Sequence, residues 1–327
     1  MKRRRALPWL MVCPMALGLG TGSKAQTSAT IGFLCGASAT EWAPFVRAFR
    51  DGLAGGGYAE GRNLMIDYRF ADGRYERLPA MARALVDRGV AVIVATAGAT
   101  AARAARQATS RIPIVFTLGT DPVALGLVAS LARPGGNLTG AMVFAVSLMS
   151  KRLELLRELL PRSQTLAVMV NTGSASMDLY VKESQAAARR LGVVLQVLEV
   201  RDEEGIAAAF DRARAARAAG IVVSAEPLFD THRLRLVALA RKYAMPAIYG
   251  FREYVAAGGL LSYGPSLSEA YRQAGTYTAQ ILDGARPAEL PVVQPTRFEL
   301  VVNGAAAAAL GLTLPQSLLL RADEVIE

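Results

Sequence analysis

A chain of 327 residues is too long for most single cores, and a composition of 52% hydrophobic against 20% charged residues excludes a disordered chain. The formal charge of +10 invites a nucleic-acid partner, but Lys2, Arg3, Arg4, Arg5 and Lys24 carry half of it, and residues 1–25 hold no acid. Beyond them no run of five basic residues remains, and aromatic residues are not interleaved with basic ones as a stacking platform requires, so no nucleic-acid partner is expected.

Residues 1–25 have the form of a secretory signal: a basic start (KRRR), an apolar stretch from Ala6 to Leu19, and small Ser23 and Ala25 before a cut at Gln26. The alternative is an uncleaved anchor, because Pro8 and Pro14 interrupt the apolar stretch. Cys13 raises a lipoprotein reading that bulky Val12 disfavours, and the paired arginines leave twin-arginine export open. A periplasmic location is the expectation. After cleavage only Cys35 is left, so neither an internal disulfide nor a Cys/His metal cluster is expected.

From Thr30 onward, strand-like and helix-like pieces alternate. IGFLC (31–35) is a short apolar run, followed by a helix around Trp42 to Leu53 that Gly55-Gly56-Gly57 closes. NLMIDYRF (63–70) alternates with period two, whereas VAVIVAT (90–96) and PIVFTL (113–118) are continuous runs of the kind buried on both faces of a parallel sheet. LTGAMVF (138–144) follows, then the helix KRLELLRELLP (151–161), whose leucines form one apolar face. The pattern restarts with strands at 165–170, 193–200, 220–225 and 246–250, interleaved with helices near 175–191, 203–218 and 229–243. GGLLSY reads as one more strand, ended by Gly264-Pro265. The helix over 266–284 begins with a Ser266/Glu269 capping box, and TRFELVVN (296–303) comes after Pro287 and Pro291. Strand and helix alternating at this spacing predict an α/β fold of two Rossmann-like lobes with parallel sheets, split near residue 142.

The sequence is poor in catalytic constellations. His232 is the only histidine, inside a helical pattern, and reads as a helix-edge residue. There is no G-x-S-x-G, Walker A or H-E-x-x-H motif, and GLGTG (18–22) has no strand before it. What stands out is the set of strand-to-helix turns, which in open α/β sheets lie where ligands bind. They read GASATE (36–41, with Ser38), TAGATAA (96–102), TDPVALG (120–126), NTGSAS (171–176, with Asn171 and Ser174), SAEPLFD (224–230, with Ser224) and YGFRE (249–253). The amides of TAGATAA and the hydroxyls of Thr96 and Thr100 can hold a carboxylate, unless Thr96 is an ordinary helix cap. Asp121 before Pro122 is either a cap or a partner for an ammonium group, and Glu226 before Pro227 is a poor cap and therefore a ligand candidate. Phe144, Tyr249 and Tyr263 lie at strand ends, where an aromatic body and a polar tip suit a pocket, although core packing suits Phe144 better.

With those turns placed, the sequence resembles the ABC transporter substrate-binding protein family that includes the tryptophan/tyrosine-type periplasmic binding proteins, with the type I periplasmic-binding fold. The resemblance rests on TDPVALGLVASLARPGGNLTG (120–140), KRLELLRELLP (151–161), IYGFREYVAAGGLLSYGPS (248–266), ILDGARPAELPV (281–292) and the tail from Val301 to Glu327. It implies lobes of 26–141 plus 264–291 and 142–263 plus 292–327, joined by three hinge crossings near Gly140, Gly264 and Pro291. It also implies a monomer without a cofactor that binds an amino acid or related solute between its lobes and presents it to an ABC permease and its ATPase subunit. Gly98 joins Thr96 and Thr100 as an implied carboxylate donor. SAEPLFD departs from the more polar strand end of related sequences, which leaves the solute open. A periplasmic sensor or an enzyme on the same bilobed fold is the alternative, and a hydrolase would need a base near Ser38 or Ser174 that the sequence does not supply.

Overall fold

The computed structural model describes residues 28–327, so the leader-like segment and Cys13 lie outside the described residues. The first half alternates β1 (Ala29–Cys35), α1 (Ala39–Gly55), β2 (Leu64–Phe70), α2 (Leu78–Asp87), β3 (Val92–Thr96), α3 (Ala99–Ala108), β4 (Ile114–Leu118) and β5 (Leu138–Met142). The second runs through α4 (Met149–Leu159), β6 (Thr165–Asn171), α5 (Met177–Leu191), β7 (Val194–Val200), α6 (Glu203–Ala215), β8 (Ile221–Val223), α7 (Pro227–Thr231), α8 (Arg233–Lys242), β9 (Ala247–Tyr249), α9 (Arg252–Ala256) and β10 (Leu261–Gly264). The last portion is α10 (Leu267–Leu282), β11 (Glu299–Asn303), α11 (Gly304–Ala309), α12 (Gln316–Leu319) and β12 (Glu324–Ile326). Among the described residues no helix is long and apolar enough to cross a membrane.

The strands form two sheets, a five-stranded one in the order β2-β1-β3-β4-β5 and a seven-stranded one in the order β12-β11-β10-β9-β8-β6-β7. The first four strands of the second half repeat the order of the first half, so each sheet reverses direction of winding beside its first strand, and loops at the carboxyl ends part there to leave a crevice. β3 and β4 are buried at every position, as continuous apolar runs in a helix-covered parallel sheet must be.

Two expectations from the sequence are corrected. The sheets are parallel except that β11 pairs antiparallel with β10, because the chain enters β11 from the opposite end after α10. The helix expected over 229–243 is two helices, α7 and α8, broken at His232, which lies at the end of one and the start of the other.

The chain passes from the first sheet to the second after β5, returns to the first for α10, and re-enters the second at β11. α10 lies on α1 at backbone contact: a Cβ added to Gly52 would sit 2.0 Å from the Arg272 carbonyl oxygen, and one on Gly275 would sit 2.1 Å from that of Phe49. Ser266 caps α10, accepting from the amide of Glu269 at 3.3 Å. The passages between sheets run side by side. The Met142 amide donates to the Val293 carbonyl at 2.8 Å and the Val293 amide to the Gly140 carbonyl at 2.9 Å, and Tyr277 donates its hydroxyl to the Pro291 carbonyl at 2.7 Å. Gly140 itself lies inside β5, where a Cβ would sit 2.0 Å from the Phe116 carbonyl oxygen. Gly264 ends β10 against the Gly250 carbonyl oxygen, 1.9 Å from where its Cβ would stand.

Arg152 of α4 fastens two of these passages. It is fully buried, and donates from Nε to the Tyr263 carbonyl and from Nη1 to the Ala145 carbonyl, both at 2.8 Å. Arg152→Met keeps the apolar stem and removes both donors. Urea unfolding of this variant is expected to show a loss of about 3 kcal/mol, since two buried carbonyls lose a charged partner. A loss under about 1 kcal/mol would show that other donors serve those carbonyls equally well.

Candidate ligand-binding cleft

The carboxyl ends of the two sheets face each other across a narrow cavity of about 40 Å³. From the first half it is walled by Trp42, Gly98, Thr117, Thr120 and Tyr271, and from the second by Ser176, Tyr180, Glu226, Asp230 and Phe251. Bonds cross from half to half around it. Thr120 and Ser176 hydroxyls meet at 2.6 Å, the Ser38 amide donates to Thr231 Oγ1 at 3.3 Å, Tyr75 donates to Glu226 at 3.5 Å, and Arg233 pairs with Glu41. The two halves are closed on one another.

On the first-half wall, α3 begins without a cap. Its N-cap is Gly98, at φ 106°, with no side chain to accept from the first helical amides. α1, α6, α10 and α11 are each capped by a side chain, from Ser38, Asp202, Ser266 and Asn303 respectively. The exposed amides and the positive end of the helix are what a carboxylate seeks. Ala97 before it sits at φ 56°, a conformation that costs a residue with a Cβ. Gly98 must be glycine for a second reason, because a Cβ there would press to 3.2 Å from Pro227 of the other half.

On the second-half wall stand two buried carboxyls, Glu226 and Asp230, each about 5% exposed. Glu226 accepts from Ser174 Oγ at 2.7 Å, and Asp230 accepts from the Tyr254 hydroxyl at 2.9 Å. Burial pushes the Glu226 carboxyl up to about 8, with the nearby charge of Asp230 adding to the rise and the Ser174 bond opposing it. Burial likewise pushes Asp230 up to about 7 against the pull of Tyr254, Arg233 and Arg152. Both carboxyls are thus shifted toward the protonated form. Buried beside it, the Cys35 thiol is pushed up to about 12 by desolvation and is not available as a nucleophile.

Of the residues singled out in the sequence, Gly98 and Glu226 line the cavity. Ser174 reaches it through Glu226, and Ser38 caps α1 at its edge. Thr96, Thr100, Asn171 and Ser224 are not in the lining, and Asn171 accepts instead from the Gly173 amide at 2.9 Å. Asp121 is exposed and accepts from the Val123 amide at 2.8 Å within a turn, and no helix follows it, so it is neither in the cleft lining nor the helix cap expected before Pro122. Phe144 packs edge-on against Phe298, 6.1 Å between centroids, and Tyr263 lies 6.2 Å from the same ring, both at the passages between sheets. Tyr249 faces away from the cleft and stacks on Tyr254 at 4.4 Å. Asp230, Trp42, Tyr271 and Phe251 were not singled out. Asp230 stood in the SAEPLFD turn as a second acid, but the helical period placed it inside a helix, and Tyr271 was assigned to the apolar face of α10.

Two α/β units of the same strand order, closed over a cavity at their carboxyl ends, define a type I periplasmic-binding fold. The family model described as ABC transporter substrate binding protein matches residues 41–326, and the chain belongs to that family. It is similar to a tyrosine-binding protein of Clostridioides difficile, 26% identical over 280 residues, covering 82% of this chain and 75% of that one. Among solved structures it is similar to the ABC domain in complex with L-Trp from Streptococcus pneumoniae, 26% identical, with a TM-score of 0.82 over 91% of this chain and 100% of the other. A conserved domain protein from Vibrio cholerae is 28% identical, with a TM-score of 0.83 over 91% of this chain and 99% of the other.

The raised carboxyl values carry a stability consequence. Between the ordinary glutamate value of 4.5 and about 8, the folded protein holds a proton on Glu226 that the unfolded chain has released. The ligand-free protein therefore loses stability as pH rises from about 5 to about 8 and levels off above that. Glu226→Gln is expected to match the wild type in melting temperature at pH 5 and to exceed it by a few degrees at pH 8, read by calorimetry. Identical curves at both pH values would place the Glu226 carboxyl in contact with water.

Proposed function

We propose that this chain is the exported solute-binding subunit of an ABC importer and that it closes over an α-amino acid with an aromatic or apolar side chain. The observation that carries this reading is the division of charge in the cleft: an uncapped helix N-terminus on one wall, two buried carboxyls on the other, and aromatic rings between them. The ligand carboxylate would accept from the amides that open α3, and its ammonium would lie against Glu226 and Asp230. Trp42, Tyr271 and Phe251 would enclose the side chain. The relatives that bind tyrosine and tryptophan support this class of ligand.

Binding is then coupled to closure, because each end of the ligand is held by a different half. The lobes divide at 141/142, 263/264 and 291/292, and opening bends the three passages, with Gly264 the tightest of them. A chain of this kind is a carrier without catalysis of its own. It would deliver the solute to a permease and ATPase, and the basic-then-apolar start of the sequence supports export to the periplasm.

Charge balance makes the reading testable. Burial holds the Glu226 carboxyl up to about 8, so an incoming ammonium beside it drives that one proton off. Calorimetric titration with free L-amino acids near pH 7 is expected to show proton release, seen as an enthalpy that depends on the buffer's ionisation heat. Affinity is expected to fall about tenfold for each pH unit below 7. A saturating ligand, at about 100 times its dissociation constant, adds about 2.7 kcal/mol to stability. If none of the natural amino acids raises the melting temperature, the ligand class is wrong.

A further inference from the structure

Tyr75 belongs to the first half and is built into the second. It begins a single turn of 3-10 helix, Tyr75–Arg77, between β2 and α2, and is buried. The loop before it is fixed to its own half, the Ala71 amide donating to the Cys35 carbonyl at 2.9 Å and the Gly73 amide to the Gly36 carbonyl at 2.8 Å. Gly73, at φ 76°, brings this loop against α7, where a Cβ would stand 3.2 Å from the Leu228 side chain. The Tyr75 ring lies between Gly36 of the first half and Gly173 of the second, since a Cβ on either would come to 3.5 Å from it.

The Tyr75 hydroxyl is used in both directions. It accepts from the Leu228 amide at 3.3 Å and donates to Glu226 Oε2 at 3.5 Å. α7 does not cap itself: Glu226 in the N-cap position makes no capping bond and Pro227 has no amide hydrogen, so Leu228 carries the first free amide of the helix, and a hydroxyl from the opposite half serves it. The other Glu226 oxygen, Oε1, accepts from Ser174 Oγ at 2.7 Å within the second half. The carboxyl therefore has one donor of its own half and one that arrives only on closure. Both Tyr75 bonds are long, as suits a carboxyl that burial holds toward its neutral form, and a charged acceptor shortens such bonds. Tyr75 is not in the cavity lining, so it acts on a ligand through Glu226.

We propose that Tyr75 is the positioning residue of the cleft: on closure its hydroxyl reaches across from the first half, gives Glu226 its second donor and aims the carboxylate at the ligand's ammonium. The ligand in this proposal rests on the amino-acid reading of the cleft, whereas the hold of Tyr75 on Glu226 does not. The groups that face Glu226 are Asp230 from α7, Ser174 from the turn after β6, Tyr180 from α5 and Tyr75 itself. Burial above all, and then the charge of Asp230, favour its neutral form, while the Ser174 and Tyr75 bonds favour the charged one.

The Glu226 carboxyl can be followed directly, by carbon-13 labelling of glutamate and a pH titration of the ligand-free protein in the magnet, with Glu226→Gln assigning the signal. Tyr75→Phe keeps the ring and removes only the hydroxyl, and in it Glu226 is expected to titrate at a pH higher by about 0.5. Calorimetric titration with L-tryptophan gives the second reading. Tyr75→Phe is expected to bind about fivefold more weakly than the wild type at pH 7, and about half of that loss or less should remain at pH 9, where Glu226 is largely ionised in both proteins. A ring that merely packed between the halves would give the same loss at both pH values. The proposal is overturned if Glu226 titrates at the same pH in the two proteins, if it titrates lower in Tyr75→Phe, as entry of water would cause, or if the loss of affinity is equal at pH 7 and pH 9. If L-tryptophan binds neither protein while Glu226 still titrates higher in Tyr75→Phe, the ligand reading fails and the hold of Tyr75 on Glu226 stands.

Discussion

The passages between the two sheets are packed around one buried cation. Arg152 stands with no exposed surface where the chain passes between its two sheets, and desolvation holds its guanidinium down to about 10, still charged at neutral pH. A buried charge is costly unless its hydrogen bonds are good, and Arg152 spends two of its donors on the carbonyls of Ala145 and Tyr263, one on each passage. Gly250 and Gly264 leave space for this: a Cβ on either would come within 3.4 Å of the guanidinium, and the one on Gly264 would overlap the Gly250 carbonyl. The passages are therefore packed around a rigid plane of fixed charge. Burial raises the Asp230 carboxyl in the cleft, and the same charge opposes that rise, behind the Tyr254 bond and Arg233, so the passages and the site share one cation.

The cleft collects unfavourable features that nothing in the empty protein repays. α3 starts uncapped, Ala97 sits in a conformation that disfavours a Cβ, and two carboxyls are buried close enough to oppose each other's ionisation. α1, α6, α10 and α11 are capped by Ser38, Asp202, Ser266 and Asn303, while α3 shares with α2, α4, α5, α7, α8, α9 and α12 a start without a bond from its N-cap side chain, and it opens onto the cleft. Uncapped amides, a strained Ala97 and buried carboxyls that meet at one cleft suit a site where a ligand supplies the complementary charges.

Much of the fold was legible because buried parallel strands write themselves as continuous β-branched runs and helices as a 3.6 period. VAVIVAT, PIVFTL and TLAVMV became β3, β4 and β6 within two residues of their ends. What escaped was what period cannot encode. The direction of β11 follows from where α10 leaves the chain, and the break between α7 and α8 follows from how tightly the chain turns at His232. On a three-residue strand such as β9, alternation does not say which face Tyr249 takes, and it takes the one away from the cleft. Arg152 lies among charged neighbours in KRLELLRELLP and reads as part of a solvated stripe, although the helix turns it inward. Asp121 and Asp230 show the same limit: both follow a strand end, but Asp121 stays exposed in a turn while Asp230 is carried inward by α7.

The repeated strand order explains how such a site arises from two ordinary units. Each half has its crevice beside its first strand, at β1/β3 and β6/β8, so closing them face to face brings two sets of strand-end turns together. The two sets are not alike in charge. The first contributes helix amides and the rings of Trp42 and Tyr271 with no acid in the lining, while the second contributes Glu226 and Asp230. The direct bonds between the halves, Thr120 to Ser176, Ser38 to Thr231 and Arg233 to Glu41, are single polar contacts of the kind that water replaces at small cost when the halves part. A solute with opposite charges at its two ends offers each half what the other half lacks. Its differential contact with the closed state, rather than the lobes' affinity for each other, is then what decides how long the cleft stays shut.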